Sequence, residues 1–148
     1  ECCIKTTLAR QIANWVIISS PLQMAADLIE NYEGHPAFRF FRDFDADCDW
    51  SKALQGEIGD YIVVARRAKD RYFLGAGTDE KARTLVQKLD FLEPGVTYTA
   101  TIYADAPDAG RNPEAYLIGK RAVTARDTIR IEMAERGGQA ITFIPAEK

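Results

Sequence analysis

Apolar residues recur at helical spacing up to about Gly56 and alternate at strand spacing after it. This single change of period constrains the fold more than any motif does, because repeats of 3.6 and 2.0 present their apolar sides to different kinds of layer. The first part is too short to be a complete enzyme domain, so two architectures meet within 148 residues.

Thr6 or Thr7 can cap a helix whose apolar face is Leu8, Ile12, Trp15, Val16 and Ile18. Pro21 stops it near Ser19-Ser20, since the residue before proline avoids helical geometry. Residues 25–32 read as either a helical turn or a loop. Pro36 suits the first turn of a further helix over about 37–44, with Phe38, Phe41 and Phe44 at intervals of three and Phe40 beside them. Asp43, Asp45, Asp47 and Asp49 alternate through the loop that follows.

After Gly56 the pattern is all-β. Tyr61–Arg66 and Arg71–Gly75 flank a turn at Ala68-Lys69-Asp70. Thr84, Val86 and Leu89 are expected on one side of a third strand. Pro94-Gly95 marks a turn before Thr97–Tyr103, which alternates cleanly. Two short strands, Ala115–Ile118 and Ala122–Thr124, are expected around Gly119, and Thr128–Met133 is expected to pair with Ala140–Ile144 across residues 135–138. About seven strands at this spacing indicate a sandwich or barrel.

A net charge of −3 with no basic face gives no reason to expect a nucleic-acid partner. Apolar runs such as Trp15–Ile18 are far too short to span a bilayer, and Glu1-Cys2-Cys3 does not open like a signal peptide. Cys2, Cys3 and Cys48 are an odd set without CxxC spacing, which argues against a metal site built from them.

The stretch GEIGDYIVVARR at Gly56–Arg67 resembles the end of a glycoside hydrolase family 97 enzyme. So do TTLARQIANWVIISSPLQMAADLIENYEGHPAF from Thr6 to Phe38, GAGTDEKARTLVQKLDFLEPGVTYTATIYADAPDA, NPEAY at Asn112–Tyr116 and GGQAITF at Gly137–Phe143. Only the first five residues, ECCIK, look unlike that family. No piece is a mechanistic motif; their order and spacing make the likeness specific. The resemblance implies a mostly β fold: a C-terminal antiparallel β-sandwich of the oligomerisation type over residues 56–148. Ahead of it, residues 1–55 would be the last elements of a (β/α)8 catalytic barrel. It implies an α-glucosidase or α-galactosidase, periplasmic or secreted, that acts on an oligosaccharide and holds calcium near its substrate. No counterpart of the family's catalytic carboxylates or calcium ligands is found in this sequence, so the chain alone is expected to be inactive and to bind no calcium. A carbohydrate-binding module without catalysis is the alternative reading, and a free-standing scaffold domain whose helices cover the sandwich is another.

If residues 20–24 carry the last barrel strand, its C-terminal end faces the sugar pocket. Gln23 could then bond a sugar hydroxyl, Met24 could pack on a sugar face and Asp27 could support a neighbour. Equally, Gln23 could bond backbone, Met24 could be core and Asp27 a helix cap. Glu57, between two glycines, is a conceivable catalytic carboxylate or a linker residue. Asp105 and Asp108, or Asp45, Asp47 and Asp49, could hold a cation or simply form solvated turns. His35 is the one histidine and cannot by itself form a nucleophile–base pair. The phenylalanines, or Tyr72, Tyr98 and Tyr103, could form sugar-stacking faces or serve as core. Finally, Leu8, Ile12, Trp15 and Val16, together with the phenylalanines, need an apolar partner. The expectation is that missing barrel segments or another copy of the chain supply it.

Overall fold

A computed structural model describes residues 6–18, 20, 22–24 and 28–146. The element order is α1 (Leu8–Ile17), α2 (Ile29–Tyr32), α3 (Phe38–Asp43), β1 (Trp50–Glu57), β2 (Tyr61–Ala68), β3 (Arg71–Thr78), β4 (Arg83–Lys88), β5 (Tyr98–Asp105), β6 (Tyr116–Val123), β7 (Thr128–Met133) and β8 (Gly138–Pro145). A six-stranded antiparallel sheet runs β1-β2-β3-β8-β5-β6, and a two-stranded sheet pairs β4 with β7. The fold is therefore a β-sandwich with unequal layers, carrying helices on the free face of its larger sheet.

Strand alternation divides the large sheet between two cores. Val63, Tyr72, Leu74, Ala76, Tyr98, Ala100, Ile141 and Phe143 face the small sheet, where they meet Ile129, Ile131 and Met133. Ala68, Phe73, Tyr103 and Ala140 face the helices, where they meet Ile12, Ala13, Val16, Ala37 and Phe40. Because β3 and β8 are covered on both faces, nearly every residue in them is buried and they do not alternate in sequence.

The seat of α1 is paved with glycine. A Cβ on Gly75 would stand 2.7 Å from the Ala13 carbonyl oxygen and 2.8 Å from Val16 Cβ; one on Gly138 would stand 2.8 Å from Arg10 Cα. The opposing helix positions include Ala9 and Ala13, both without exposure. Small residues on both sides let the helix backbone approach the sheet closely. At the helix start Thr7 Oγ1 accepts the Arg10 N–H at 3.1 Å. At its end the buried Arg66 guanidinium donates to the carbonyls of Val16 and Ile17, which have no partner within the helix. Arg10 lies along the sheet and donates to the carbonyls of Thr78 (2.7 Å) and Gly137 (3.4 Å).

Several expectations are corrected. The apolar face of α1 is buried within its own chain, on the large sheet, and needs no absent partner; Ile12, Ala13 and Val16 are fully buried there. Ile18 is not part of that face and stands exposed. The sheet begins at Trp50 rather than after Gly56, so β1 crosses the expected boundary at 55/56. Its pattern was obscured because it is an edge strand with a register shift between Ala53 and Gln55. Residues 116–123 form one strand with Gly119 in its middle, not two short ones. In β4, Thr84 and Val86 point outward, whereas Gln87 and Leu89, just past the strand's end, are buried.

β7 and β8 do not form a hairpin. β7 pairs with β4, whereas β8 lies between β3 and β5. The connection carries Arg136 at φ 55° and crosses from one sheet to the other. It is fixed by Asp105, whose Oδ2 accepts the N–H groups of Ala134 (2.9 Å) and Gly138 (3.1 Å). The Arg136 N–H reaches the Asp79 carbonyl at 2.8 Å. Burial, partly offset by these bonds, raises the Asp105 pKa.

Two outcomes follow. Gly75→Ala is expected to lower unfolding free energy by about 1–3 kcal/mol through overpacking against α1. Gly119→Ala, where a Cβ meets nothing within 4 Å, should change it by at most about 1 kcal/mol in the stabilising direction. Urea midpoints at unchanged m-value decide between them, and equal losses would refute the close helix seat. For Asp105 the folded pKa lies above its ordinary value of 3.8, so the protonated form favours the fold. That stability is present below about pH 4 and is lost as pH rises through the raised pKa. Asp105→Asn retains an acceptor for both N–H groups and should abolish this part of the pH dependence, as pH-resolved denaturation would show.

Candidate functional site

Among the described residues the densest run of exposed large apolar side chains lies after α1, with Ile58, Val86, Leu117 and Ile118 exposed elsewhere. Ile18 is 60% exposed, Leu22 74%, Met24 83%, Leu28 70% and Ile29 63%. Five large apolar side chains within twelve positions make a candidate contact surface. It begins where α1 leaves the sheet and continues into α2, a four-residue helix with no buried residue. Gln23 ties the stretch back to the helix: its Nε2 donates to the carbonyls of Trp15 (2.8 Å) and Ile18 (3.3 Å). The group of Gln23 left for another partner is its side-chain oxygen. Met24 is not core in this chain; it projects to solvent. Asp27 and Pro21 lie outside the described residues, as do Cys2 and Cys3.

The aromatic residues of the helices form a buttress behind this stretch. Trp15 meets Phe41 edge-on at 4.6 Å, Phe44 reaches Phe73 of β3 at 5.0 Å, and Phe40 stands over Tyr103 of β5 at 5.6 Å. Such T-shaped pairs stabilise beyond the area they bury. The phenylalanines are thus the packing between helices and sandwich. Tyr72, Tyr98 and Tyr103 are all buried, Tyr72 and Tyr98 between the sheets and Tyr103 under the helices, so they form no exposed sugar-binding face. Burial pushes the Tyr103 hydroxyl pKa up to about 12.

The candidate carboxylates are used locally. Asp45 pairs with Lys69 at 3.4 Å, and Asp49 with Arg67 at 2.9 Å, while Arg71 donates to the Asp43 carbonyl. The acidic loop therefore folds onto the basic turn between β2 and β3. Asp45 also accepts the Asp47 N–H, which lowers its pKa more than Lys69 does. Among the described residues no group of three or more His, Cys, Asp and Glu side chains is placed to hold a metal ion. Cys48 is a free thiol whose pKa burial raises. His35 Nδ1 accepts the Ala37 N–H at 3.3 Å and its ring lies 5.3 Å from Tyr116.

Glu57 lies on the rim of an open groove of about 750 Å³ beside the β1–β2 turn, also lined by Arg10, Asp60, Tyr61, Thr78 and Asp79. Two of its carboxylates are engaged: Arg83 pairs with Asp60 (3.2 Å) and Asp79 (3.4 Å), and its guanidinium stands 5.3 Å over the Tyr61 ring. Asp60 and Asp79 thus converge on one guanidinium as an ion-pair cluster. Sequence reasoning missed Arg10 and Arg66, which hold α1, and the glycines beneath it. The small-residue run Gly75-Ala76-Gly77 was the available signal.

Comparison with known proteins decides the family. The family model described as "Glycosyl-hydrolase 97 C-terminal, oligomerisation" matches residues 47–144. The chain belongs to glycoside hydrolase family 97. A solved family 97 enzyme from Pseudoalteromonas sp. strain K8, in complex with acarbose, is 45% identical. It matches with a TM-score of 0.91 over 97% of this chain and 23% of that one. The retaining alpha-galactosidase of Bacteroides thetaiotaomicron is 32% identical over 136 residues, which is 91% of this chain and 20% of that protein. A beta-arabinopyranosidase structure at 23% identity and TM-score 0.74 shares the fold. This family 97 chain thus spans about a fifth of the length of the relatives it matches.

The role of Gln23 in stopping α1 is open to a direct check. Gln23→Ala is expected to cost the chain about 1 kcal/mol, the usual net loss of a hydrogen-bonded side chain. Met24→Ala should cost less than about 0.5 kcal/mol, since Met24 touches little here. Thermal unfolding of the two variants compares them.

Proposed function

We propose that this chain is the C-terminal part of an α-glycosidase and that its work is to brace the catalytic barrel and support assembly. The observation that carries this reading is the exposed apolar stretch from Ile18 to Ile29, which directly follows a helix buried on the sandwich. A free-standing domain gains nothing from five exposed large apolar side chains; a domain that continues into a barrel does. At about 25 cal/mol per Å² of apolar area, covering them is worth several kcal/mol to the whole enzyme. The names of the relatives favour an α-linked glycan, with a galactoside or glucoside as the first substrates to try.

On this reading the stretch that follows α1 lies against the end of the barrel, and Gln23 and Met24 sit at the rim of the sugar pocket. Gln23 would offer its side-chain oxygen to a sugar hydroxyl, because its nitrogen holds α1. Met24 would lay its thioether along the sugar face. The catalytic carboxyls and the calcium belong to the remainder of the enzyme. A periplasmic or secreted location is part of the same proposal.

The test uses p-nitrophenyl α-galactoside and α-glucoside. The 148-residue chain alone is expected to release no p-nitrophenol, and the whole enzyme that contains it is expected to release it. In that enzyme, Leu22→Glu with Leu28→Glu should lower thermal stability by several degrees and activity by at least about tenfold. Turnover by the chain alone, or a doubly substituted enzyme of unchanged stability, would overturn the reading.

A further inference from the structure

The last carbonyls of a helix have no partner within it. At the end of α1 two side chains divide them. The Trp15 and Ile18 carbonyls accept from Gln23 Nε2 at 2.8 and 3.3 Å. The Val16 and Ile17 carbonyls accept from the Arg66 guanidinium. One donor thus comes from the interior of the sandwich, and the other from the exposed stretch that leaves it.

The two donors are held very differently. Arg66 is 7% exposed, and its backbone lies in β2 between two ladders, paired with Ser51 of β1 and Phe73 of β3. A cation suits the negative end of a helix, and a planar guanidinium can serve two neighbouring carbonyls at once. Gln23 has no strand or helix around it, and its amide is oriented by the carbonyls alone. Two carbonyl oxygens can be met only by the amide nitrogen, so Oε1 is turned away from the helix. A shift of about 1 Å at the helix end would carry both contacts beyond hydrogen-bond distance and release the amide.

We infer that Arg66 is a positioning residue for the substrate site: by clamping the last carbonyls of α1 it fixes the two acceptors that aim the Gln23 side-chain oxygen at a sugar hydroxyl. Arg66 touches no substrate and acts only through the helix end. The sandwich then does more than stiffen the enzyme, because a guanidinium in its interior sets the direction of one acceptor at the pocket rim. This inference rests on the reading that places Gln23 at that rim.

Kinetics of the whole enzyme, on whichever p-nitrophenyl α-glycoside the wild type hydrolyses, test it. Arg66→Met keeps most of the buried stem and removes the donors. It is expected to raise KM by about fivefold with kcat nearly unchanged, the signature of a lost contact made equally to substrate and transition state. Gln23→Leu should raise KM by a similar factor, and the double variant should raise it no further than Gln23→Leu alone. A merely structural Arg66 would lower thermal stability and leave that coupling absent. Arg66→Lys keeps a charge at the helix end but loses the fork, so it should still raise KM by about twofold or more, and it decides the matter if Arg66→Met does not fold. In the 148-residue chain, hydrogen exchange of the Gln23 side-chain amide should quicken by at least about threefold in either Arg66 variant. An unchanged KM in the folded variants, additive effects of Arg66→Met and Gln23→Leu, or unaltered exchange at Gln23 would overturn the inference. Each of these compares variants with the wild type and leaves the glycosidase reading standing, since that reading is decided by turnover of the wild-type enzyme.

Discussion

The close seat of α1 on the large sheet is the contact on which the rest of this structure depends. Glycines at 75 and 138 and alanines at 9 and 13 remove the side chains that would hold helix and sheet apart. Ile12 and Val16 then fill the space beside them, each contributing roughly 1.5–3 kcal/mol by burial. The seat also fixes the polar contacts at both ends of the helix. Arg66 reaches the free carbonyls at its C-terminus, and Arg10 reaches the carbonyls where β3 and the β7–β8 connection end. A guanidinium suits both places, since it spreads several donors in a plane and keeps its charge. Burial does lower the Arg10 pKa, and the nearby Asp105 carboxylate opposes that shift.

Much of this was legible before any coordinates. The cap at Thr7, the end of α1 before Pro21, the β2–β3 hairpin and the clean alternation of β5 follow from local chemistry that the tertiary structure left undisturbed. What escaped was non-local. The turn before Gly138 looks like a hairpin turn because its residues allow sharp reversal. Whether the chain returns along the same sheet or crosses to the other depends on Asp105, some thirty positions earlier, accepting both Ala134 and Gly138 N–H groups. Likewise β6 was split at Gly119 because glycine is a usual stop signal, and only its pairing with Ile102 shows that the strand runs through. β1 was hidden by its register shift and by lying at an edge, where most of its side chains face solvent.

The candidate site was legible only in outline. The stretch around Gln23 and Met24 drew attention through Pro21 and the resemblance, but the apolar surface was expected on α1 itself. Amphipathicity shows that a helix face must be covered; it does not say by what. Here the sheet covers α1, and the uncovered residues are those immediately after it, where Ile18 leaves the helical stripe. The acidic loop shows the same limit. Its alternating aspartates invite a cation, yet Lys69, Arg67 and Arg71 from the neighbouring turn supply the positive charge, so the loop is anchored by surface ion pairs that individually stabilise little.

These observations bear on where the structural unit begins. Sequence period places a boundary at residues 55–56, and the family match begins at residue 47. Packing places it earlier. α1 contributes Ile12, Ala13 and Val16 to a core that contains Phe73, Tyr103 and Ala140, and removing it would uncover the free face of β3 and β8. Those two strands are buried on both sides and carry few charged residues, so an uncovered face would be a long apolar surface. The sandwich therefore includes α1 energetically even though a run of helical sequence separates the two. A rigid helix seated on one domain and continuing directly into exposed apolar residues is a mechanically stiff way to join two domains.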